Sequence, residues 1–283
     1  MEKIALITDS TSDMPKDMVD KYNIKILHYR IIYKDREFID RINITPKYVY
    51  DNLDNEIPTS SLPSIDEMEK LFKSLQDQGY THAIVVTLSG GLTGILNGVK
   101  LVSENYPKIK TYIYDSKSIS MGEGMIVEEC GKLIEKGASF NEIVNKLPSL
   151  RKRLHLYFVV GTLEYLKKGG RIGKVAGTIA ELLNIKPIVA IDISDGKYFT
   201  YDKVRGRKKS LSRIVEIANN ILKTKKCRMC ILDGCALEDA KKVFNDVKEN
   251  QNVTSASFGG DISPVAGLHS GPGLVGLVLF EEE

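Results

Sequence analysis

Apolar residues along the chain fall into short continuous runs, separated by stretches where they recur every three or four positions. The short runs predict strands over 4–8, 24–33, 83–88 and 110–114. The longer periodic stretches predict helices. Ser64-Ile65-Asp66-Glu67 forms a capping box, opening a helix that stops near Gly79. Thr45-Pro46 marks another helix start, with proline at the first helical position, and Ser139-Phe140-Asn141-Glu142 is a second capping box. Alternation of strand and helix predicts an α/β domain over 1–155, its mainly parallel sheet covered by helices.

The pattern changes after Arg151-Lys152-Arg153. Apolar runs at 156–160, 185–193 and 197–201 are predicted strands, and Ser194-Asp195-Gly196 between the last two is a hairpin signal. Helices over 208–222 and 237–248 and strands over 228–232 and 274–280 complete a second, smaller α/β domain, 156–283, with mixed or antiparallel strands. No repeat or low-complexity linker separates the two, so they are expected to sit close together.

Composition narrows the function classes. The 283 residues are 42% hydrophobic and 27% charged, as in an ordinary globular protein, with a net charge of +3 that does not point to nucleic acid. No apolar run approaches the roughly 20 residues a bilayer span needs. The opening Met1-Glu2-Lys3 leads directly into a predicted strand and lacks a signal-peptide core. A cytoplasmic protein without stable membrane insertion is expected. Cys227-Arg228-Met229-Cys230 has redox or zinc spacing, but it lies on a predicted strand, where residues three apart face opposite ways. Core cysteines are the expectation, with no metal.

Candidate chemistry gathers in four segments rich in hydroxyls and glycine. They are Thr8-Asp9-Ser10-Thr11-Ser12-Asp13, Pro58-Thr59-Ser60-Ser61-Leu62-Pro63, Leu88-Ser89-Gly90-Gly91-Leu92-Thr93-Gly94, and Tyr114-Asp115-Ser116-Lys117-Ser118. Singly, each reads as caps and turns. Together, at the carboxyl edge of one parallel sheet, they suit an anionic head group. Gly271-Pro272-Gly273-Leu274-Val275-Gly276 matches a dinucleotide fingerprint by letter, but it leads into a strand with no helix or acid after it. No nucleophile elbow supports a hydrolase, although His269 with Ser270 or Ser60 leaves acyl hydrolysis or transfer as the alternative. Arg171, between Gly170 and Gly173, is placed to meet a carboxylate or phosphate.

The ordered set of these segments resembles the DegV family of bacterial fatty-acid-binding proteins. Lys167-Lys168-Gly169-Gly170-Arg171-Ile172, Lys203-Val204-Arg205-Gly206-Arg207-Lys208-Lys209 and His269-Ser270-Gly271-Pro272-Gly273 continue it through the second half. The resemblance implies two α/β domains with a long-chain fatty acid between them and no cofactor. It implies a carrier, not a catalyst, that presents the acid to a separate ATP-dependent fatty acid kinase for acyl phosphate formation and phospholipid synthesis. Carried over residue by residue, it assigns the carboxylate to Ser60, Ser61, Ser89, Thr93, Arg171 and His269. It assigns docking of the kinase to Lys203, Arg205, Arg207, Lys208 and Lys209. Ser60 stands where the family usually has Thr and Thr93 where it has Ser, so both hydroxyls are kept. Leu62, Gly90, Ile95 and Gly206 depart from the family's usual residues.

Overall fold

A computed structural model of the chain describes residues 2–179 and 185–283. The first half contributes seven strands: β1 (Ile4–Asp9), β2 (Lys25–Leu27), β3 (Arg30–Ile32), β4 (Glu37–Ile39), β5 (Thr59–Ser61), β6 (His82–Thr87) and β7 (Lys110–Asp115). Four of them form a wholly parallel sheet in the order β2-β1-β6-β7. Its central strands are apolar on both faces: Leu6 and Ile84 pack in one hydrophobic cluster, Ala5, Ile7 and Val85 in another. Helices therefore cover both sides, as parallel sheets require. Both capping boxes form, opening the helices Ile65–Asp77 and Phe140–Lys152.

The apolar run at 24–33 is not one strand. It breaks at His28–Tyr29, where Tyr29 N donates to Ser10 Oγ (3.2 Å) and His28 Nδ1 lies 2.8 Å from Asp40 O. Before the break β2 pairs with β1; after it β3 joins β4 and β5 in a small antiparallel sheet. The run, Ile24 to Tyr33 with Lys25, His28 and Arg30 scattered through it, has no glycine or proline to mark the corner.

The second half builds a six-stranded sheet, β10-β9-β8-β13-β11-β12, from β8 (Leu154–Val159), β9 (Ile185–Ile191), β10 (Tyr198–Arg205), β11 (Cys227–Gly234), β12 (Val253–Asp261) and β13 (Leu274–Glu281). All its pairings are antiparallel except β11 with β12. The Asp-Gly turn joins β9 to β10 as a hairpin, with Gly196 at φ +74°. One face of this sheet is covered by the helices Arg207–Leu222 and Leu237–Lys248, whose Ile214, Ala218 and Val243 pack with Val159, Val275 and Leu277. The other face looks toward the first sheet: Phe158, Val189 and Val278 share one hydrophobic cluster with Leu6, Ile84 and Met125. Cys227 and Cys230 are both buried and fall in these two different clusters, and burial raises each thiol to about 11. Among the described residues, no helix is long and apolar enough to cross a membrane, and no cluster of side chains suits a metal ion.

Candidate functional site

The loops after β1, β6 and β7 leave the parallel sheet at its carboxyl edge, where α/β sheets bind ligands. Opposite them lie the open face of the second sheet and the short helix Pro264–Ser270. Ser263 caps that helix by accepting from Ala266 N (3.3 Å). Two carboxylates of the first half hold its start, Asp13 Oδ1 accepting from Ser263 N (2.9 Å) and Asp40 Oδ1 from Val265 N (3.0 Å). Between these elements is a cavity with about 830 Å³ of space outside atoms, its open mouth included. Its walls are mostly apolar: Leu156, Phe158, Leu232, Leu274 and Val278 from the sheet, Val265 and Ala266 from the helix, Leu88, Leu92 and Ile119 from the loops.

Polar groups converge at one part of this lining. Ser60, on β5, pairs across with the fully buried Ile31 of β3, so its side chain faces inward, where Oγ lies 2.8 Å from His269 Nε2. Thr93 accepts from the buried Tyr29 hydroxyl (2.8 Å) and from Ile95 N (3.4 Å). Arg171 is carried by a glycine turn, with Gly170 at φ +70° and Gly173 at φ +54°. Its Nη1 donates to Gly169 O (2.6 Å), and among the described residues it has no acidic partner. Gly169 is required for another reason: a Cβ there would lie 2.2 Å from His269 Nδ1.

The electrostatics set the state of the imidazole. Burial, then the Arg171 charge, lowers the His269 pKa to about 3, so the ring is neutral at physiological pH. Its Nδ1 is buried and without a hydrogen bond among the described residues. Ser60 and His269 thus have the separation of a nucleophile and its base. Among the described residues no group orients the ring from Nδ1, and the base is too weak to take a proton near neutral pH. Ser270 lines the cavity, but its hydroxyl donates to Gly267 O and Gly271 O, both at 3.4 Å, and not to His269.

Of the six residues expected around a carboxylate, Ser60, Thr93, Arg171 and His269 line the cavity and two do not. Ser61 follows Ser60 on β5, so alternation turns it outward; it is exposed and its Oγ donates to Leu62 O (3.3 Å). Ser89 is fully buried, but its hydroxyl donates to Gly196 O (2.7 Å), tying the third loop to the hairpin of the second sheet. Gly91 closes that contact, since a Cβ would lie 2.3 Å from the Gly196 carbonyl carbon.

Two tyrosines belong to the site and carried no distinguishing mark in the sequence. Tyr29 supports Thr93. Tyr198, which begins β10, packs edge-on against Phe158 (ring centroids 5.1 Å apart) and is only 7% exposed. It lines the cavity, and among the described residues its hydroxyl makes no hydrogen bond. The basic segment lies elsewhere, at the far end of β10 and the start of the next helix. Lys203, Arg205, Lys208 and Lys209 are exposed, whereas Arg207 pairs with Asp239 of the following helix (2.8 Å). None of them touches the cavity.

Comparison with known proteins bears on the family and the fold. The family model described as "Uncharacterised protein, DegV family" matches residues 3–282. A DegV domain-containing protein of Clostridium acetobutylicum is 56% identical over 282 residues, covering 100% of both chains. Among solved structures, a fatty-acid-binding DegV family protein from Thermus thermophilus aligns with a TM-score of 0.92 at 26% identity, covering 99% of this chain and 100% of its own. DegV, a fatty-acid-binding protein from Bacillus subtilis, aligns with a TM-score of 0.91 at 27% identity over 100% of both chains. A stearic-acid-binding protein from Eubacterium ventriosum reaches 0.87 at 26% identity, covering 99% of this chain and 98% of its own.

Proposed function

This chain belongs to the DegV family, and from that premise we propose that it binds a long-chain fatty acid between domains 1–155 and 156–283. The observation that carries the reading is Arg171 at the polar end of a mostly apolar cavity, without an acidic partner among the described residues. A cation so placed is stabilised by an anionic ligand, and apolar walls select one with a hydrocarbon tail. In this reading Arg171 and Ser60 meet the carboxylate, with neutral His269 and Thr93 beside them and the Tyr198 hydroxyl as a further donor. Each buried methylene of the tail contributes about 0.8 kcal/mol, so the tail supplies most of the affinity.

The acid is held and not transformed. The low pKa of His269, and its Nδ1 without a partner among the described residues, argue against acyl hydrolysis through Ser60 or Ser270. We place the chemistry in a partner, an ATP-dependent fatty acid kinase of the cytoplasm that docks on Lys203, Arg205, Arg207, Lys208 and Lys209 and phosphorylates the bound acid. Native mass spectrometry of the intact protein is expected to show an added fatty-acid mass. With kinase and ATP supplied, acyl phosphate is expected to form only when the carrier is present. A protein that stays empty when offered fatty acid refutes the binding; a loaded protein that yields no acyl phosphate refutes the presentation.

A further inference from the structure

Most glycines around the cavity have a structural reason to be glycine. Gly169 clears His269; Gly271 and Gly273 have φ of +68° and +95° and no room for a Cβ. Gly276 has neither reason. It lies inside β13, a position where glycine weakens a strand. Its φ is not positive, and a Cβ there would meet only Leu274 Cδ2 at 3.8 Å and Leu232 O at 3.9 Å, ordinary contacts. Leu274 and Val278, two residues to either side, pack in the cluster shared with the first sheet, while Val275, Leu277 and Leu279 pack against the outer helices. Gly276 therefore presents its empty side-chain position to the cavity, with Phe158 of β8 and Leu232 of β11 directly across.

Its place along the strand gives that vacancy a consequence. Leu274 closely follows the helix that carries His269, and so lies toward the polar end. Val278 pairs with Leu156, which packs at the start of the helix Met121–Glu135 on the far side. Each two-residue step along β13 covers about 7 Å. Resting on the fatty-acid reading above, we propose that Gly276 determines acyl-chain length: the missing side chain joins the polar end of the cavity to its far end, so that a long tail can pass.

The test is competition binding of stearic and decanoic acids to the full-length protein and to Gly276→Leu. A leucine side chain would occupy the passage and exclude the distal methylenes, each worth about fourfold in affinity. Stearic acid is expected to bind the variant about tenfold or more weakly, and decanoic acid to change by less than about threefold. An unchanged ratio, or an equal loss for both acids, overturns the inference. Gly276→Ala adds a methyl where only ordinary contacts await it, and shifts the ratio in the same direction by less; it serves if the leucine variant does not fold. A wild-type protein that takes up neither acid removes the binding reading itself, which is a different result from a length preference that ignores Gly276.

Discussion

The acidic cluster behind the first loop and the polar end of the cavity beside it are both buried, yet their polar groups are satisfied in different ways. In the cluster the chain supplies the donors. Asp9 accepts from Leu88 N (2.8 Å), Thr11 N (3.0 Å) and Thr11 Oγ1 (2.6 Å), and Glu123 from Thr8 Oγ1 (2.7 Å). Asp13 accepts from Arg41 (2.6 Å), Ser263 N (2.9 Å) and Ser120 Oγ (2.5 Å). In the cavity Arg171 and Tyr198 keep donors that no described residue accepts from. The first arrangement stabilises the fold; the second leaves donors that a ligand can use. The difference teaches that buried polarity marks a binding site where it is unbalanced, not where it is dense.

The largest expected effect comes from breaking the self-satisfied region. Asp13→Ala leaves Arg41, Ser120 and Ser263 N without their shared acceptor, and loosens the start of the helix that bears His269. A loss of about 3 kcal/mol in unfolding free energy is expected, measured by urea denaturation. Arg171→Ala is the complementary experiment. Among the described residues its one bond goes to Gly169 O, so stability should change by less than about 1 kcal/mol. Affinity for stearic acid should fall about 30- to 100-fold, the loss of a charge-assisted hydrogen bond to a carboxylate. If both variants lost stability and affinity in parallel, the distinction between the regions would collapse.

The same contrast explains what could be read before the fold was known. Arg171 stands in a glycine turn and His269 just before the Gly271-Pro272-Gly273 turn, where glycines break the apolar pattern, and so both are visible in the sequence. Ser60 and Thr93 were legible as hydroxyls in a suitable loop, but their direction was not. Ser61 is chemically identical to Ser60 and points the other way, because 59–61 is a strand whose alternation only pairing with β3 establishes. Ser89 looks like a ligand donor until the hairpin of the other sheet brings Gly196 O against it. Tyr198 reads as one more aromatic strand residue; its place in the cavity wall, with no described residue bonded to its hydroxyl, is visible only in three dimensions. Strand β12 escaped notice for a different reason. Thr254, Ser255 and Ser257 on this edge strand have little apolar patterning, since most of it is exposed.

A smaller effect sharpens the comparison through pH. Burial raises Asp40 to about 7 and Asp9 to about 6, each from 3.8. In both, the folded state binds a proton that the unfolded chain has released, so stability falls as pH rises from about 4 to about 7 and then levels off. Asp40 makes this separable, because Oδ1 takes the bond from Val265 N while Oδ2 has no partner among the described residues. Asp40→Asn keeps a carbonyl oxygen for Val265 N and carries no charge at any pH. The variant should be more stable than wild type at pH 8, by on the order of 1–2 kcal/mol, and the two should converge toward pH 4. Fatty-acid affinity should behave differently. His269, lowered to about 3, is neutral throughout pH 6 to 8, so affinity should stay flat across a range where stability does not. An affinity that climbs steadily as pH falls from 8 to 6 would mean that His269 binds the acid as a cation, and that the polar end of the cavity holds a second positive charge.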